Sequence, residues 1–299
     1  MKIILTGTGT SHGVPVIGCR CKVCTSKDPR DNRNRSAAYV ESPSKIIIDT
    51  GPEFRIQAIK YGISAADAVL ITHSHADHMN GLDDLRIFSH TKSVDPGMKK
   101  NTNETEGEGL PIYANSGTLH DIRKRFDYIF KPVTEGGGKP KLHLIDSARF
   151  TSKNPLFIGE VRVIPVPILH GSLDDNGWLL SEKNPDTGWK SIAYLTDCSC
   201  IPQSSIDLIH ENAGNLVHLV IDGLRPEPHS THFSFDQALE AAEKISAKHT
   251  WLIHMTHLLL HTEVQKYIND HIENFPGLKK IIAQGGTVQP SYDGLKLEI

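Results

Sequence analysis

With 299 residues the chain is long enough for one large α/β core or two small ones. Its 32 lysines and arginines against 35 aspartates and glutamates leave a net charge of −3, which argues against bulk electrostatic binding to nucleic acid and leaves only a local basic patch open. The start, Met1-Lys2-Ile3-Ile4-Leu5-Thr6-Gly7, is too short an apolar run for a signal-peptide core, no later run approaches a membrane span, and five cysteines, an odd number, suit a reducing cytoplasm better than a disulfide framework.

A strand is predicted over 2–6, and the loop beyond it carries Cys19, Cys21 and Cys24 in a C-x-C-x-x-C pattern. Three thiolates lack one ligand for a tetrahedral zinc site. His257 and His12 are the candidates for it; His257 is preferred because a turn can aim it and His254 at two neighbouring metals. Arg33 and Arg35 follow as candidate anion contacts, against the ordinary reading of solvated arginines. Strands are predicted over 37–40 and 45–49, the latter running into Asp49-Thr50-Gly51, then a helix over 53–61.

The strand predicted over 68–72 leads into His73-Ser74-His75-Ala76-Asp77-His78, four potential ligands within six residues. His73 and His75 alternate along an extended chain and can face one side. Asp77 and His78 fall where the chain turns into a helix and can address a second centre, so one strand end could serve two ions. The competing reading is a polar, solvated turn.

The stretch 91–110 is polar and aperiodic and is predicted to be a surface insertion or lid. A helix over 119–130 and a plain loop over 135–140 come next. Strands are predicted over 161–169, 191–196, 216–221, 250–253 and 279–283, with helices over 235–247 and 263–272; Ser234 is the N-cap of the former, and Asp236 complements its dipole. His170, Asp197 and His254 each sit just beyond a strand. Alone, each reads as a cap or a packed polar residue. Together with the 73–78 motif they read as ligands converging on one sheet edge. Cys198 and Cys200 read as small packing residues, with Cys200 kept open as a ligand. Strands in both halves with helices among them suggest an α/β chain of two sheets face to face with helices outside, although a doubly wound sheet gives a similar pattern.

The run His73 to His78 resembles the H-x-H-x-D-H signature of metallo-β-lactamase-fold hydrolases, and the match extends to Asp49-Thr50-Gly51 and to His170, Asp197 and His254 in the expected order. The resemblance implies an αββα sandwich, a single domain over 1–299, with the metal site along one edge. It implies that His73, His75 and His170 hold one divalent ion, that Asp77, His78 and His254 hold the other, and that Asp197 bridges them. Asp49 would orient these groups through hydrogen bonds, a structural cap being the alternative.

Within that superfamily, Thr6-Gly7-Thr8-Gly9-Thr10-Ser11-His12-Gly13-Val14-Pro15 and the cysteine loop are similar to the cyclic-phosphate phosphodiesterases of bacterial phosphonate degradation, which resemble tRNA 3′-processing endonucleases. This likeness implies a structural zinc on Cys19, Cys21, Cys24 and His257. It also implies a phosphate contact from His232, with His229 the weaker rival and a polar helix-start residue the ordinary alternative. The expectation is a hydrolase with two zinc or manganese ions, in which hydroxide attacks a small or cyclic phosphodiester in line and His232 and Asp77 are catalytic. An endoribonuclease of the tRNA 3′-processing type and a non-catalytic metal-binding protein are the alternatives. A di-iron oxidoreductase on this fold would carry a carboxylate where His75 stands. No membrane partner is expected, nucleic acid is a weaker candidate than a small ester, and a homodimer stays open.

Overall fold

The computed structural model describes residues 1–42, 44–89, 109–131 and 139–299. Among the described residues, fourteen strands form two seven-stranded sheets. The first contains β1 (Lys2–Gly7), β2 (Ala37–Glu41), β3 (Lys45–Ile48), β4 (Ala68–Leu70), β5 (Leu110–Ala114) and β6 (Leu142–Asp146). The second contains β7 (Leu156–Ile158), β8 (Val161–His170), β9 (Leu173–Asn184), β10 (Gly188–Leu195), β11 (Asn215–Asp222), β12 (His249–Ile253) and β13 (Thr287–Pro290), and the chain returns to the edge of the first sheet as β14 (Lys296–Glu298). The orders are β14-β1-β2-β3-β4-β5-β6 and β13-β12-β11-β10-β9-β8-β7.

The apolar runs are continuous because the central strands are covered on both faces. Ile46, Ile48 and Leu70 point into the layer between the sheets with Val163, Trp178, Leu180, Ile192, Tyr194 and Val220. Their neighbours Ile47, Val69 and Ile71 face the outer layer of the first sheet, and Ala193, Leu195, Leu219 and Ile221 face helices outside the second. This period of two gives the expected αββα sandwich.

The expected strand over 279–283 is corrected to the end of a helix, Pro276–Ala283. Pro276 presets its first turn, Leu278 and Ile281 pack three apart on the same core, and Gly285, at φ +86°, ends the run before β13. The expected 119–130 helix is two shorter ones, Ser116–Arg125 and Asp127–Phe130, the first capped by the Asn115 side chain. Ser234 caps the helix Phe235–Ile245 as expected, in a reciprocal capping box with Gln237. Of the expected insertion, 91–108 lies outside the described residues; Leu110 belongs to β5, paired with Leu142. The loop expected over 135–140 likewise falls outside them as far as 138. Among the described residues no helix is long and apolar enough to cross a membrane.

Strands β3 and β4 are parallel, as are β10, β11 and β12, and β8 runs with β10 across the antiparallel β9. Within each sheet, the carboxyl ends of these strands therefore lie together. They deliver Asp49, His73, His170, Asp197, Asp222 and His254.

Candidate metal centre

Three of these rim residues turn sharply out of their strands. Asp49, Asp197 and His254 have φ of +61°, +54° and +65°, a left-handed conformation that disfavours L-residues by about 1–2 kcal/mol each. The packing around them compensates. Thr50 N–H donates to His78 O and Gly81 N–H to Thr50 O, both at 2.7 Å, so the Asp49-Thr50-Gly51 turn is clamped against the His73–His78 segment. A Cβ on Gly51 would stand 2.2 Å from Asp77 O. Gly51→Ala is therefore expected to lower stability by about 1–3 kcal/mol and to weaken metal binding; thermal unfolding with and without added metal checks both.

His73, His75 and His170 present one nitrogen each within 4.8 Å of one another, and Asp77, His78, Asp197 and His254 form a second such group. His73 Nε2 and His75 Nδ1 are 2.9 Å apart, close to the ~3 Å expected of two nitrogens sharing one ion. The outer nitrogens are already committed. His170 Nδ1 donates to Thr231 O at 2.6 Å and His78 Nδ1 to Asp49 Oδ2 at 2.7 Å, while His254 Nδ1 hydrogen-bonds Ser36 Oγ at 3.2 Å and lies 2.8 Å from Asp197 Oδ1. His78 Nε2 and His254 Nε2 are buried without a hydrogen-bond partner. Between the groups, Asp197 Oδ2 lies 3.2 Å from His78 Nε2 and 3.8 Å from His73 Nε2. Inward-facing nitrogens and carboxylate oxygens, two of the nitrogens buried without a hydrogen bond, are the donor set a divalent cation requires.

Electrostatics agree with this fit. Burial lowers the pKa of His73, His75 and His170, keeping them in the neutral form that offers a lone pair. Against the cost of burial, Asp197, Asp77 and Asp49 raise His78 well above the usual imidazole range. Burial is likewise outweighed at Asp77, held low chiefly by His78, and at Asp197, held low by His254 and His78. Histidine protons thus balance these carboxylates, and a bound cation would take over that charge.

His232 sits against both halves of the site, its ring centroid 4.5 Å from that of His170 and 4.7 Å from that of His254. Its Nδ1 donates to Asp222 Oδ2 at 2.9 Å, and that oxygen also accepts from Cys198 N and Phe233 N. Despite burial, the Asp222 bond raises the pKa of His232. His229 is exposed, its Nδ1 turned to Thr231. Asp222 and Asp175 are the site residues that sequence reasoning missed. Asp175 is buried, with Oδ2 3.2 Å from His73 Nδ1, and burial pushes its carboxyl well up.

His257 Nδ1 lies 3.5, 3.4 and 3.4 Å from the sulfurs of Cys19, Cys21 and Cys24. A tetrahedral zinc with bonds of about 2.3 Å to sulfur and 2.0 Å to nitrogen places them roughly 3.5 Å apart. His12 is outside this group and contacts Gly13 O instead. The Cys24 N–H brings Cys21 down to about 6, while burial, with the neighbouring sulfurs, pushes Cys24 up to about 11. A shared cation is what would let all three sulfurs ionise together. Cys21→Ser is expected to remove one zinc per chain and lower the melting temperature by several degrees, as metal analysis and thermal unfolding would show. Cys198 is buried in the core and Cys200 is exposed, neither within a ligand group among the described residues.

The arginines are committed elsewhere. Arg33 is buried and donates to Thr8 Oγ1, Ser291 O and His261, and burial brings it down to about 10, which corrects its reading as an anion contact. Arg35 pairs with Glu53 and donates to Ser11 O.

The β-lactamase superfamily domain matches residues 44–255. The chain is 33% identical over 291 residues to an octanoyltransferase of Porphyromonas gingivalis, covering 96% of this chain and 52% of that protein, so it spans about half the length of that curated relative. It is 22% identical over 291 residues to ribonuclease Z of Clostridium acetobutylicum, covering 84% of this chain and 91% of that one. Among solved structures, a diphosphatase from the PhnP family superposes with a TM-score of 0.74 at 33% identity, over 100% of this chain and 96% of that chain. Zinc-bound PqqB from Methylobacterium extorquens superposes with a TM-score of 0.69 at 17% identity, over 100% of both chains, a likeness of fold.

Proposed function

Because the chain belongs to the β-lactamase superfamily, as one of its metallo-hydrolases, we propose that it is a dinuclear metal-dependent phosphodiesterase acting on a small phosphodiester, cyclic esters and diphosphate diesters included. The observation that carries this reading is the pair of ligand groups meeting at Asp197, with His232 packed against both. In it, residues 1–299 act as one domain. His73, His75 and His170 hold one zinc or manganese ion, Asp77, His78 and His254 the other, and Asp197 both; Cys19, Cys21, Cys24 and His257 hold a structural zinc. When bound, a divalent pair supplies a lowered pKa for water and neutralises phosphoryl charge.

The chain's own groups do the rest. Thr231 O and Asp49 fix which nitrogen of His170 and of His78 faces inward. Asp77, kept ionised by His78, can take the proton of the attacking water at its carboxylate. Asp222 holds His232 by Nδ1 and favours its protonated form, so the other ring nitrogen can protonate the leaving oxygen or offset phosphate charge.

The test is turnover of a panel of methyl, cyclic and diphosphate esters after chelation and again with manganese or zinc restored. Loss and recovery of phosphodiester turnover is expected; turnover that survives full chelation overturns the reading. The panel includes an octanoyl thioester, because the half-length relative is named for octanoyl transfer. Cleavage of that ester and of no phosphoester would replace the proposal. Pre-tRNA cleavage with a steep salt dependence would move it to the endoribonuclease alternative.

A further inference from the structure

Asp49, just beyond β3, and Thr72, just before the histidine motif, are both fully buried, and their side chains meet behind the two ligand groups. Three donors converge on the Asp49 carboxylate. Thr72 N–H donates to Oδ1 at 2.8 Å, and Thr72 Oγ1–H and His78 Nδ1–H donate to Oδ2 at 2.9 and 2.7 Å. A carboxylate oxygen only accepts, so the single hydroxyl hydrogen of Thr72 is committed to Asp49.

The hydroxyl oxygen keeps a free lone pair, and His73 Nδ1 stands 3.0 Å from it. His73 must then carry its ring hydrogen on Nδ1 and donate it there, which leaves Nε2 bare. Nε2 is the nitrogen that faces the ligand groups, 2.9 Å from His75 Nδ1 and 3.8 Å from Asp197 Oδ2. Two competing contacts are weaker. His78 Nδ1 is 3.4 Å from the Thr72 hydroxyl but has its shorter bond to Asp49. Asp175 Oδ2 lies 3.2 Å from His73 Nδ1 without the alignment of a hydrogen bond.

We propose that Thr72 is a positioning residue through which Asp49, besides holding His78 directly, sets the tautomer of His73, so that one carboxylate prepares a ligand in each metal group. The relay runs from His73 Nδ1–H to Thr72 Oγ1, and from Thr72 Oγ1–H to Asp49 Oδ2. Burial is what gives it force. Without the hydroxyl, His73 Nδ1–H has no acceptor in a place closed to water, and nothing favours keeping Nε2 bare. The inference rests on the metal centre of the proposed function and is independent of which ester that centre cleaves.

The test is chelator competition on the full-length protein loaded with zinc, with the thiolate zinc as internal reference. Thr72→Val keeps the shape of the side chain and removes the hydroxyl. One of the two ions at the His/Asp centre is expected to bind about 10- to 100-fold more weakly, the range for loss of a ligand's supporting hydrogen bond. Thr72→Ser, which restores the hydroxyl, should bring the affinity back. Asp49→Asn, which tolerates the φ of +61°, should weaken both ions. Unchanged affinity in Thr72→Val, an equal loss in Thr72→Ser, or the weakening of a single ion in Asp49→Asn overturns the inference. If wild type binds no ions at this centre, the metal reading fails separately. Nitrogen-15 NMR of the histidine rings in the metal-free wild type then decides the relay, as it does should Thr72→Val fail to fold: a hydrogen on His73 Nδ1 supports it, and a ring protonated at Nε2 alone overturns it.

Discussion

Asp197→Asn is expected to lower kcat/KM for phosphodiesters by on the order of 10³-fold or more and to reduce the metal content of the His/Asp centre from two ions per chain to one or none. The size of the effect follows from its position. Asp197 is the residue that faces both ligand groups, its Oδ2 3.2 Å from His78 Nε2 and 3.8 Å from His73 Nε2. Its burial means that no solvent molecule easily replaces the missing charge. Asparagine also tolerates the left-handed backbone at this position, so loss of activity would not simply report a misfolded turn. Circular dichroism should stay native while metal analysis and turnover change. Retained zinc at the thiolate group would show that the loss is local.

His232→Ala should lower kcat by about 10²- to 10³-fold with little change in metal content, the range for removing a positioned proton donor. Asp222→Asn should give a smaller loss and a diagnostic change in pH dependence. Asp222 raises the pKa of His232, so the protonated imidazole persists to higher pH than it would alone. Activity that needs this proton is present below the raised pKa and is lost as pH rises through it. Removing the carboxylate lowers that pKa, and the alkaline limb of the kcat profile moves to lower pH. An activity loss with an unmoved limb would mean that Asp222 only supports the fold.

The ligand set was legible because its residues obey a rule visible in sequence: each follows a short apolar strand. The same rule applied to 216–221 reaches Asp222, the next residue after that strand. It was missed because a lone aspartate in Leu-Val-Ile-Asp-Gly has no motif, and its value comes from a histidine ten residues on. Asp175 offers even less signal. It lies inside β9, and a backbone bond between the two sheets, Asn176 N–H to Thr72 O at 3.2 Å, holds that strand against the His73 motif.

The sandwich itself could be anticipated from strands covered on both faces, but local misreadings show where pattern runs out. The stretch 279–283 ends in the short apolar run Ile281-Ile282-Ala283, which reads as easily as a strand, and Pro276 and the two glycines after it are the signals of a helix packed on the core. Arg33 shows the same limit for charge. Sequence presents it as one more cation, whereas Thr8, Ser291 and His261 draw it into a buried network away from any anion.

The most direct measurement is anomalous diffraction from crystals of the protein loaded with manganese and zinc, collected at both absorption edges. The account predicts two peaks about 3.5–4 Å apart flanking Asp197, and a separate zinc peak among Cys19, Cys21, Cys24 and His257. A fully loaded crystal with no paired peaks between His73, His75, His170 and Asp77, His78, His254 would contradict it.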